Sequence, residues 1–386
     1  MSISIPLTDP WIDLRHAVGK ICEDFPETYW QAQDKTATYP TDFVQKLSKD
    51  GYLAALIPEA FGGSGLPLSA AGAILETIHE TGGNAAACHA QMYTMGTLLR
   101  HGSDAQKAKY LPQIARGALR LQAFGVTEPT TGTDTTKTKT KATKTDTGYT
   151  INGQKVWTSR AEHSDLMVLL VRTKPLNQIT KKSDGLTVFL IHMDTPGITV
   201  RPIETMINHA TTEVFFDDVK VPADSLIGAE NKGLKYILSG MNAERILIAY
   251  ECLGDAAYFL RRATDYARDR HVFDRPIGQN QGIQFPLARA HAQTEAARLM
   301  VAKAATLYEA DEPCGEAANT AKLLASEASW AAAEAAMQTF GGFAFASDYG
   351  IERKWRETRL YQTAPISTNL ILSYIAQHVL DLPRSF

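Results

Sequence analysis

The sequence predicts an α+β fold in which a small β domain lies between two helical domains along the chain. Apolar residues recur at helical spacing in the first third, at strand-like spacing in the middle, and at helical spacing again in the alanine-rich last part. No internal repeat or low-complexity linker separates these blocks, so we expect one composite fold. The expected domains are an N-terminal helical domain (1–121), a middle β-barrel or β-sandwich domain (122–230) and a C-terminal antiparallel helical bundle (231–386).

The N-terminal block opens with a candidate helix cap at Asp9 and continues with apolar residues at helical spacing. The glycine-rich segment 58–65 interrupts this pattern with a turn. Beyond the turn, the spacing predicts two longer helices, over 70–81 and 84–101.

The middle block changes to strand-like patterns. Its strongest strand candidates are 167–171, 186–191 and 213–216. The dipeptide Asn152-Gly153 favours a hairpin turn that leads into a strand ending at Ser159. We therefore expect a small β domain.

Turn signals divide the C-terminal block into long helices. These signals lie at 278–280, 311–315 and 341–342. The lengths of the intervening segments suit an antiparallel bundle.

The composition is that of an ordinary globular protein and argues against some classes of function. The chain has 386 residues, of which 44% are hydrophobic and 21% charged, and its net charge is -3. This charge gives no general attraction for nucleic acid or an anionic membrane. Threonine and lysine alternate strictly from Thr136 to Lys141, without interleaved aromatic residues, so we interpret the lysines as a solvated strand face. We expect neither nucleic acid nor a membrane as a partner.

The cysteines and the N-terminus predict a cytoplasmic protein. The cysteines show neither Cys-x-x-Cys nor metal-ligand spacing; they are Cys22, Cys88, Cys252 and Cys314. We expect buried free thiols in a reducing compartment and no metal. The first nine residues lack a basic region followed by an apolar core, and no stretch approaches the length of a membrane span.

The most informative stretch is 122–134, where an apolar run meets a loop rich in threonine, proline and glycine. Taken alone, this is also the pattern of an ordinary surface turn. Further along, the segment 155–159 puts Trp157 beside two hydroxyl residues. An aromatic plane next to hydroxyl donors suits a flat heteroaromatic cofactor. No Gly-x-Gly-x-x-Gly follows a strand, so a Rossmann dinucleotide site is not supported.

These two stretches resemble the flavin-binding signature of the acyl-CoA dehydrogenase family. That signature has an aromatic residue before Thr-Glu-Pro-x-x-Gly-Ser/Thr-Asp, followed by Trp-x-Thr/Ser, and both halves occur here in order. The resemblance implies FAD as the cofactor and an acyl-CoA as the substrate. It also implies the residues that line the FAD and thioester site: Phe124, Val126, Thr127 and Thr133, with Trp157 against the isoalloxazine ring and Ser159 near flavin N5.

A segment of the C-terminal block, 270–281, resembles the family pattern Arg-x-x-Phe-Gly-x-x-Ile-x-x-x-Gln. The resemblance implies that Arg270 binds the FAD pyrophosphate and that Phe273 and Gln281 lie around the FAD. In relatives these groups belong to the neighbouring subunit, so a homo-oligomer, expected to be a tetramer, is implied. Arg270 also fits an ordinary cation at a helix C-terminus.

A second such segment, 338–342, resembles the family pattern Gln-x-x-Gly-Gly. The resemblance implies that Gln338, Gly341 and Gly342 lie at the adenine end of the FAD, where glycines permit close approach of the backbone. The two glycines also fit an ordinary helix stop.

The sequence departs from the family at the catalytic base. Much of the family has a glutamate in a Tyr-Glu-Gly-Thr segment near the C-terminus, where this chain reads Tyr-Gln-Thr-Ala-Pro-Ile-Ser-Thr-Asn from Tyr361. Without gaps the base position falls on Pro365, and with one inserted residue it falls on Ile366. The resemblance also makes the backbone N–H here a donor to the thioester carbonyl, and proline has none, so we prefer Ile366. With Ile366 at the base position, Thr368 and Asn369 align with family residues that contact the cofactor.

Glu244 is the replacement base that the resemblance offers. Relatives similar to isovaleryl-CoA dehydrogenase carry their base in a Glu-Arg pair near the start of the first long C-terminal helix, and Glu244-Arg245 stands there. By the same resemblance Asn242 and Arg245 meet the CoA arm. A Glu-Arg pair early in a helix is otherwise ordinary, because glutamate suits the helix dipole and arginine pairs locally.

The resemblance thus implies oxidation of a saturated acyl-CoA to the trans-2-enoyl-CoA. Glu244 would take the α-proton, flavin N5 would accept the hydride, and an electron-transfer flavoprotein would accept the electrons. Two alternatives stay open. The missing C-terminal carboxylate also fits variant chemistry on the same scaffold, by an enoyl-thioester reductase or a lyase, and it fits a non-catalytic thioester-binding subunit.

Overall fold

The protein folds into two compact units. The computed structural model describes residues 8–384. Residues 8–36, 67–85 and 242–384 form a helical unit, and residues 37–66 and 86–241 form a unit that contains a large β-sheet. Residues 1–7, on which part of the cytoplasmic expectation depends, lie outside the described residues, as do 385–386. The division at 121/122 and 230/231 stays a prediction.

The helices agree with the predicted helical blocks. In chain order they are α1 (Ile12–Glu23), α2 (Glu27–Thr36), α3 (Thr41–Lys49), α4 (Leu68–Glu80), α5 (Ala86–His101), α6 (Asp104–Ala115), α7 (Gly233–Asp269), α8 (Gln281–Glu309), α9 (Gly315–Phe340), α10 (Ile351–Leu360) and α11 (Thr368–His378). The helices predicted at 70–81 and 84–101 are confirmed as α4 and α5. None of the helices between residues 8 and 384 combines the length and apolar character that crossing a membrane requires.

The strands form the predicted middle β domain. They are β1 (Leu121–Gly125), β2 (Lys141–Lys144), β3 (Gly148–Ser159), β4 (Leu166–Arg172), β5 (Leu186–His192), β6 (Ile198–Pro202), β7 (Thr211–Pro222) and β8 (Leu226–Ile227), followed by the short pair β9 (His271–Val272) and β10 (Arg275–Pro276). The large sheet has the order β6-β7-β3-β2-β4-β5-β8, and β1 pairs with β4 in parallel. The α+β fold class is confirmed.

Strand β4 is buried along its whole length because β1 and β5 pair with it. Its side chains alternate between two apolar clusters, as the pleat of a strand requires. Leu166, Val168 and Leu170 pack with residues of α5 and α6, whereas Met167 and Leu169 pack with apolar residues of β3 and β7. Because β1 pairs with β4, the loop that follows β1 starts beside a strand whose two faces are both covered by apolar residues. We call this loop the cradle loop.

The prediction of a hairpin turn at Asn152-Gly153 is wrong, because both residues lie inside β3. The tight turn comes earlier, where the Thr145 N–H donates to the Gly148 carbonyl at 2.9 Å. Gly153 has φ of +147°, and a Cβ there would lie 2.6 Å from Thr140 Cα. The glycine thus permits a close approach of two chain segments, and the local turn propensity is overridden by this contact.

The lysine and threonine alternation is found as predicted. Lys137, Lys139 and Lys141 are exposed, whereas Thr138 and Thr140 are buried. The regular strand begins only at Lys141, after a short 3-10 turn. The four cysteines are buried free thiols, also as predicted.

The helical unit packs its long helices through alanine. Ala256 and Ala263 of α7, Ala290 of α8 and Ala332 of α9 lie in one apolar cluster and are almost fully buried. Small side chains let the helix axes approach closely. This close packing surrounds several charged side chains that are themselves buried, including Lys322 and Lys354.

Candidate active site

The cradle loop that follows β1 is held by the buried carboxylate of Glu128. Its oxygens accept hydrogen bonds from the N–H of Lys139 at 2.7 Å and of Thr140 at 2.9 Å. Lys155 Nζ donates to the same carboxylate at 2.9 Å. Because Glu128 stands near the start of the loop and binds two N–H groups at its end, it holds the two ends of the loop together.

Lys155 joins the two halves of the flavin-binding pattern. Its side chain is fully buried, and Nζ also donates to the Val126 carbonyl at 3.0 Å. The next residue of β3, Val156, donates its N–H to the Thr127 carbonyl at 2.9 Å. Burial lowers the pKa of Lys155 to about 8, although the Glu128 carboxylate acts in the opposite direction. The loop and the strand are therefore one hydrogen-bonded assembly.

Trp157 and Ser159 present an aromatic face and a hydroxyl at the end of β3. Trp157 has φ of +59° at an irregularity in the pairing with β7, and its side chain is 60% exposed. Asn208 Nδ2 donates to Ser159 Oγ at 2.9 Å, which fixes the hydroxyl. A large exposed aromatic ring beside an oriented hydroxyl fits the isoalloxazine ring system of a flavin.

The remaining predicted residues of this unit surround the same strand ends. The Phe124 ring meets the Tyr93 ring edge to face, with centroids 5.3 Å apart. Phe124, Val126 and Thr127 are half-buried, and Thr133 is exposed on the loop. These positions leave the threonine hydroxyls and the Phe124 ring edge accessible to a ligand.

In the helical unit, Glu244 is buried on α7, with 5% of its surface exposed. Helix α7 begins at Gly233, so Glu244 lies well beyond the first turn, within which the helix dipole acts. The dipole therefore does not explain this glutamate. Arg245 donates to Asn242 Oδ1 at 2.9 Å, and Asn242 Nδ2 donates to Cys314 Sγ at 3.4 Å, so Asn242 and Arg245 are joined by a hydrogen bond on α7.

A cavity of about 770 Å³ in the helical unit brings together part of the second predicted group. Arg270, Thr339, Phe340, Gly342 and Phe343 are among its lining residues. An added Cβ at Gly342 would meet nothing within 4 Å, so the glycine leaves open space for a ligand beside the arginine.

Other members of this group do not line the cavity. Gln281 and Gln338 are exposed, and the Phe273 side chain is 93% exposed. Gly341 adjoins the cavity and has φ of +59° with ψ of -130°, a conformation that favours glycine. Within residues 8–384, the cavity thus gathers the arginine and glycine part of the predicted site.

The loop between α10 and α11 carries the remaining predicted residues. Ile366 is half-buried, and its N–H donates to no group in the part of the chain that the structure describes. Thr368 begins α11 and its Oγ1 donates to the Gln362 carbonyl at 3.3 Å, while Asn369 is exposed. The free N–H of Ile366 is a hydrogen-bond donor available to a ligand.

One side-chain cluster has the donor set of a metal site but is filled by an ammonium group. His79, Asp255 and Glu357 bring their ligand atoms within 4.8 Å of one another. Lys354 Nζ lies 2.5 Å from Asp255 Oδ1, 2.8 Å from Glu357 Oε2 and 3.1 Å from His79 Nδ1. The lysine supplies the positive charge that the carboxylates require.

The sequence interpretation missed Glu128, Lys155 and Lys322 as residues that shape the site. Glu128 and Lys155 stand inside the two halves of the flavin pattern, but sequence alone does not show that they pair. Lys322 lies on α9 between Ala318 and Ala325, which are both buried. The signal in the sequence was that Lys322 stands at helical spacing from apolar residues, which indicates that it shares their buried face.

The fold, the open indole ring and the glycine-lined cavity define a flavin-dependent oxidoreductase. Models of the N-terminal, middle and C-terminal domains of acyl-CoA dehydrogenases match residues 11–118, 123–219 and 231–380. The chain therefore belongs to the acyl-CoA dehydrogenase family. The resemblance noted in the sequence is confirmed.

Relatives match along almost the whole chain. The acyl-CoA dehydrogenase FadE12 of Mycobacterium tuberculosis (strain H37Rv) is 34% identical over 378 residues, which are 97% of this chain and 96% of the relative. A 3-(aryl)acrylate reductase of Clostridium sporogenes is 32% identical, covering 89% of this chain and 92% of its own. The structure of butyryl-CoA dehydrogenase from Megasphaera elsdenii has a TM-score of 0.92 at 30% identity, covering 98% of this chain and 100% of that one.

We predict that Lys155→Met lowers the free energy of unfolding by about 3–5 kcal/mol, because it leaves a buried carboxylate without its cation. The double variant Lys155→Met/Glu128→Gln should recover part of this loss, since the unpaired charge is then absent. Urea unfolding of the four proteins of the cycle measures both effects. Additive effects of the two substitutions would contradict a coupled pair.

The Glu128 carboxylate also makes the free energy of unfolding depend on pH. Burial alone raises the pKa of Glu128, but the Lys155 ammonium and the Lys139 N–H outweigh burial and hold the pKa below its ordinary value of 4.5. The unfolded chain thus binds more protons near this pH, so the carboxylate stabilises the fold above it and less as the pH falls. We expect the stability difference between wild type and Glu128→Gln to shrink as the pH falls from about 4.5 toward the lower pKa that Glu128 has in the folded protein. Urea unfolding at stepped pH measures it, and a constant difference would contradict this assignment.

Proposed function

We propose that the protein oxidises a saturated acyl-CoA to the trans-2-enoyl-CoA with FAD as cofactor. The observation that supports this most directly is the buried carboxylate of Glu244, which lies on helix α7. The chain belongs to a family of oxidoreductases, in which such a carboxylate can serve as a base. A base for an α-proton needs a carboxylate shielded from water, since desolvation favours its protonated form.

In the proposed reaction Glu244 removes the α-proton of the thioester, and the electron pair of that C–H bond forms the new double bond. FAD, held by the residues assigned below, would supply the acceptor for the hydride that leaves the β-carbon. The N–H of Ile366 donates to the thioester carbonyl and stabilises the negative charge that develops there. Asn242 and Arg245 bind the CoA arm.

We assign the FAD contacts in two groups. The ring system meets Trp157 and Ser159, with Phe124, Val126, Thr127 and Thr133 lining the FAD and the thioester. The remaining contacts are Arg270, Phe273, Gln281, Gln338, Gly341, Gly342, Thr368 and Asn369. The free donor of Ile366, the open space at Gly342 and the exposed Trp157 ring support this assignment.

A second candidate is the reverse chemistry, reduction of an enoyl thioester. The 3-(aryl)acrylate reductase relative, at 32% identity, favours it. The same residues serve both directions, because the proton that Glu244 removes in one is returned by it in the other. A reductase would oxidise chemically reduced flavin with an enoyl-CoA faster than it reduces flavin with the saturated acyl-CoA.

We further propose a homotetramer in the cytoplasm that passes electrons to an electron-transfer flavoprotein. The exposed Phe273 and Gln281 support an oligomer, because neither lines the cavity beside Arg270. Light scattering of the FAD-loaded protein measures the oligomer, and a monomeric mass would contradict it.

Anaerobic titration of the FAD-loaded protein with straight, branched and dicarboxylyl CoA thioesters tests the function. We expect at least one saturated thioester to bleach the oxidised-flavin band and to yield the 2-enoyl product. Release of a β-substituent without bleaching would replace dehydrogenation by lyase chemistry. Tight binding without product would replace it by a non-catalytic subunit.

We predict that Glu244→Gln retains FAD but loses flavin reduction by acyl-CoA by about 10²–10⁴-fold, the usual contribution of a general base. Glu251→Gln is the comparison variant, because Glu251 is also buried on α7 and its replacement by an amide keeps an acceptor for the Tyr361 hydroxyl, which donates to it at 2.8 Å, and so keeps the contact with the loop after α10. Stopped-flow absorbance measures both rates. Normal reduction by Glu244→Gln would put the base elsewhere.

A further inference from the structure

Lys322 of α9 holds the loop between α10 and α11 by its backbone. The side chain is fully buried. Its Nζ donates to the Ile366 carbonyl at 2.9 Å and also to the Tyr361 carbonyl. A single ammonium group thus bridges the first residue of the loop and the residue whose N–H is free.

This ammonium forms no ion pair with a carboxylate among the residues that the structure describes. A buried cation without a carboxylate is costly, and burial lowers the pKa of Lys322 to about 8. Arg245 also lowers this pKa, whereas the Cys252 thiol raises it. Burying this charge opposes folding, and the interactions that offset the cost are the hydrogen bonds to the Tyr361 and Ile366 carbonyls.

The hydrogen bonds within the loop do not bind the Ile366 carbonyl. The Thr363 and Ala364 N–H groups both donate to the Leu360 carbonyl at 2.9 Å, and the Thr368 N–H donates to the Gln362 carbonyl at 3.1 Å. These bonds close the two ends of the loop. The carbonyl of Ile366 is bound only by Lys322 among the described groups.

We propose that Lys322 is a positioning residue that orients Ile366 so that its free N–H points at the thioester carbonyl. The inference rests on the proposed function, in which this N–H polarises the carbonyl. Lys322 does not touch the substrate. It acts through the Ile366 carbonyl, because fixing both carbonyls of the bridge restricts the rotation of the backbone between them.

The test measures carbonyl polarisation separately from turnover. An aryl-acryloyl-CoA absorbs at longer wavelength when a hydrogen bond polarises its carbonyl, and it cannot reduce oxidised flavin. We expect a red shift on binding to the FAD-loaded wild-type protein and a much smaller shift with Lys322→Met. Flavin reduction at saturating acyl-CoA should fall by about 100-fold in this variant, the effect of a reacting group displaced by about 1 Å.

Ser326→Ala is the matched control. Ser326 is buried one turn further along α9, and its hydroxyl donates to the Leu323 carbonyl of its own helix at 3.0 Å. We expect it to keep the wild-type shift and rate. An equal loss in Ser326→Ala would assign the effect to general disturbance of α9 and overturn the inference.

Lys322→Gln decides the matter if the methionine variant does not fold. Its shorter amide reaches at most one of the two carbonyls, so we expect an intermediate shift and a rate at least about tenfold below wild type. A wild-type shift and rate in either variant would overturn the inference. So would the absence of a shift when the wild-type protein binds the probe.

The failure of the proposed function is a different result. If the wild-type protein shifts the probe spectrum but no saturated thioester bleaches its flavin, dehydrogenation is wrong, and the spectra of the variants still decide the role of Lys322. If the wild-type protein bleaches normally and Lys322→Met behaves like it, dehydrogenation stands and the positioning role fails.

Discussion

Three fully buried ammonium groups set the shape of the loops in this protein. An ammonium removed from water needs hydrogen-bond acceptors around it, and here loop carbonyls supply some of them. The lysine–carbonyl pairs are Lys155 with Val126, Lys322 with Tyr361 and Ile366, and Lys354 with Gly83. Each of these ammonium groups therefore ties the backbone of a loop to the strand or helix that carries the lysine.

The carboxylates of α7 divide between this structural network and chemistry. Glu244, Glu251 and Asp255 are separated by seven and four residues, which puts them on one side of the helix. Glu251 binds the Tyr361 hydroxyl, and Asp255 binds Lys354. These two acids are committed to holding α10 and the loop that follows it. Glu244 directly precedes Arg245, which under the proposed function binds the CoA arm together with Asn242.

The sequence predicted elements well and buried charges badly, for a physical reason. Periodicity is repeated over many residues, so α4, α5 and the strands of the middle domain follow from it. A turn propensity rests on two residues, and at Gly153 the approach of Thr140 overrides it. A lysine in a sequence is normally solvated, and only its position relative to buried alanines distinguishes Lys322. The pairing of Lys155 with Glu128 depends on the fold, because the residues are distant along the chain.

The loop after α10 carries no carboxylate at the C-terminal base position, and its path is held by the buried Lys322 ammonium. Neither Pro365 nor Ile366 can remove a proton, so under the proposed function the loop contributes a backbone donor alone. A side-chain base adjusts by rotating its own bonds, but a backbone N–H is aimed only by the path of the chain. Holding that path with a buried ammonium lowers the stability of the fold, but it fixes the orientation of the Ile366 N–H. Under the same proposal the base lies on α7, so both proposed catalytic groups depend on elements whose path the fold sets.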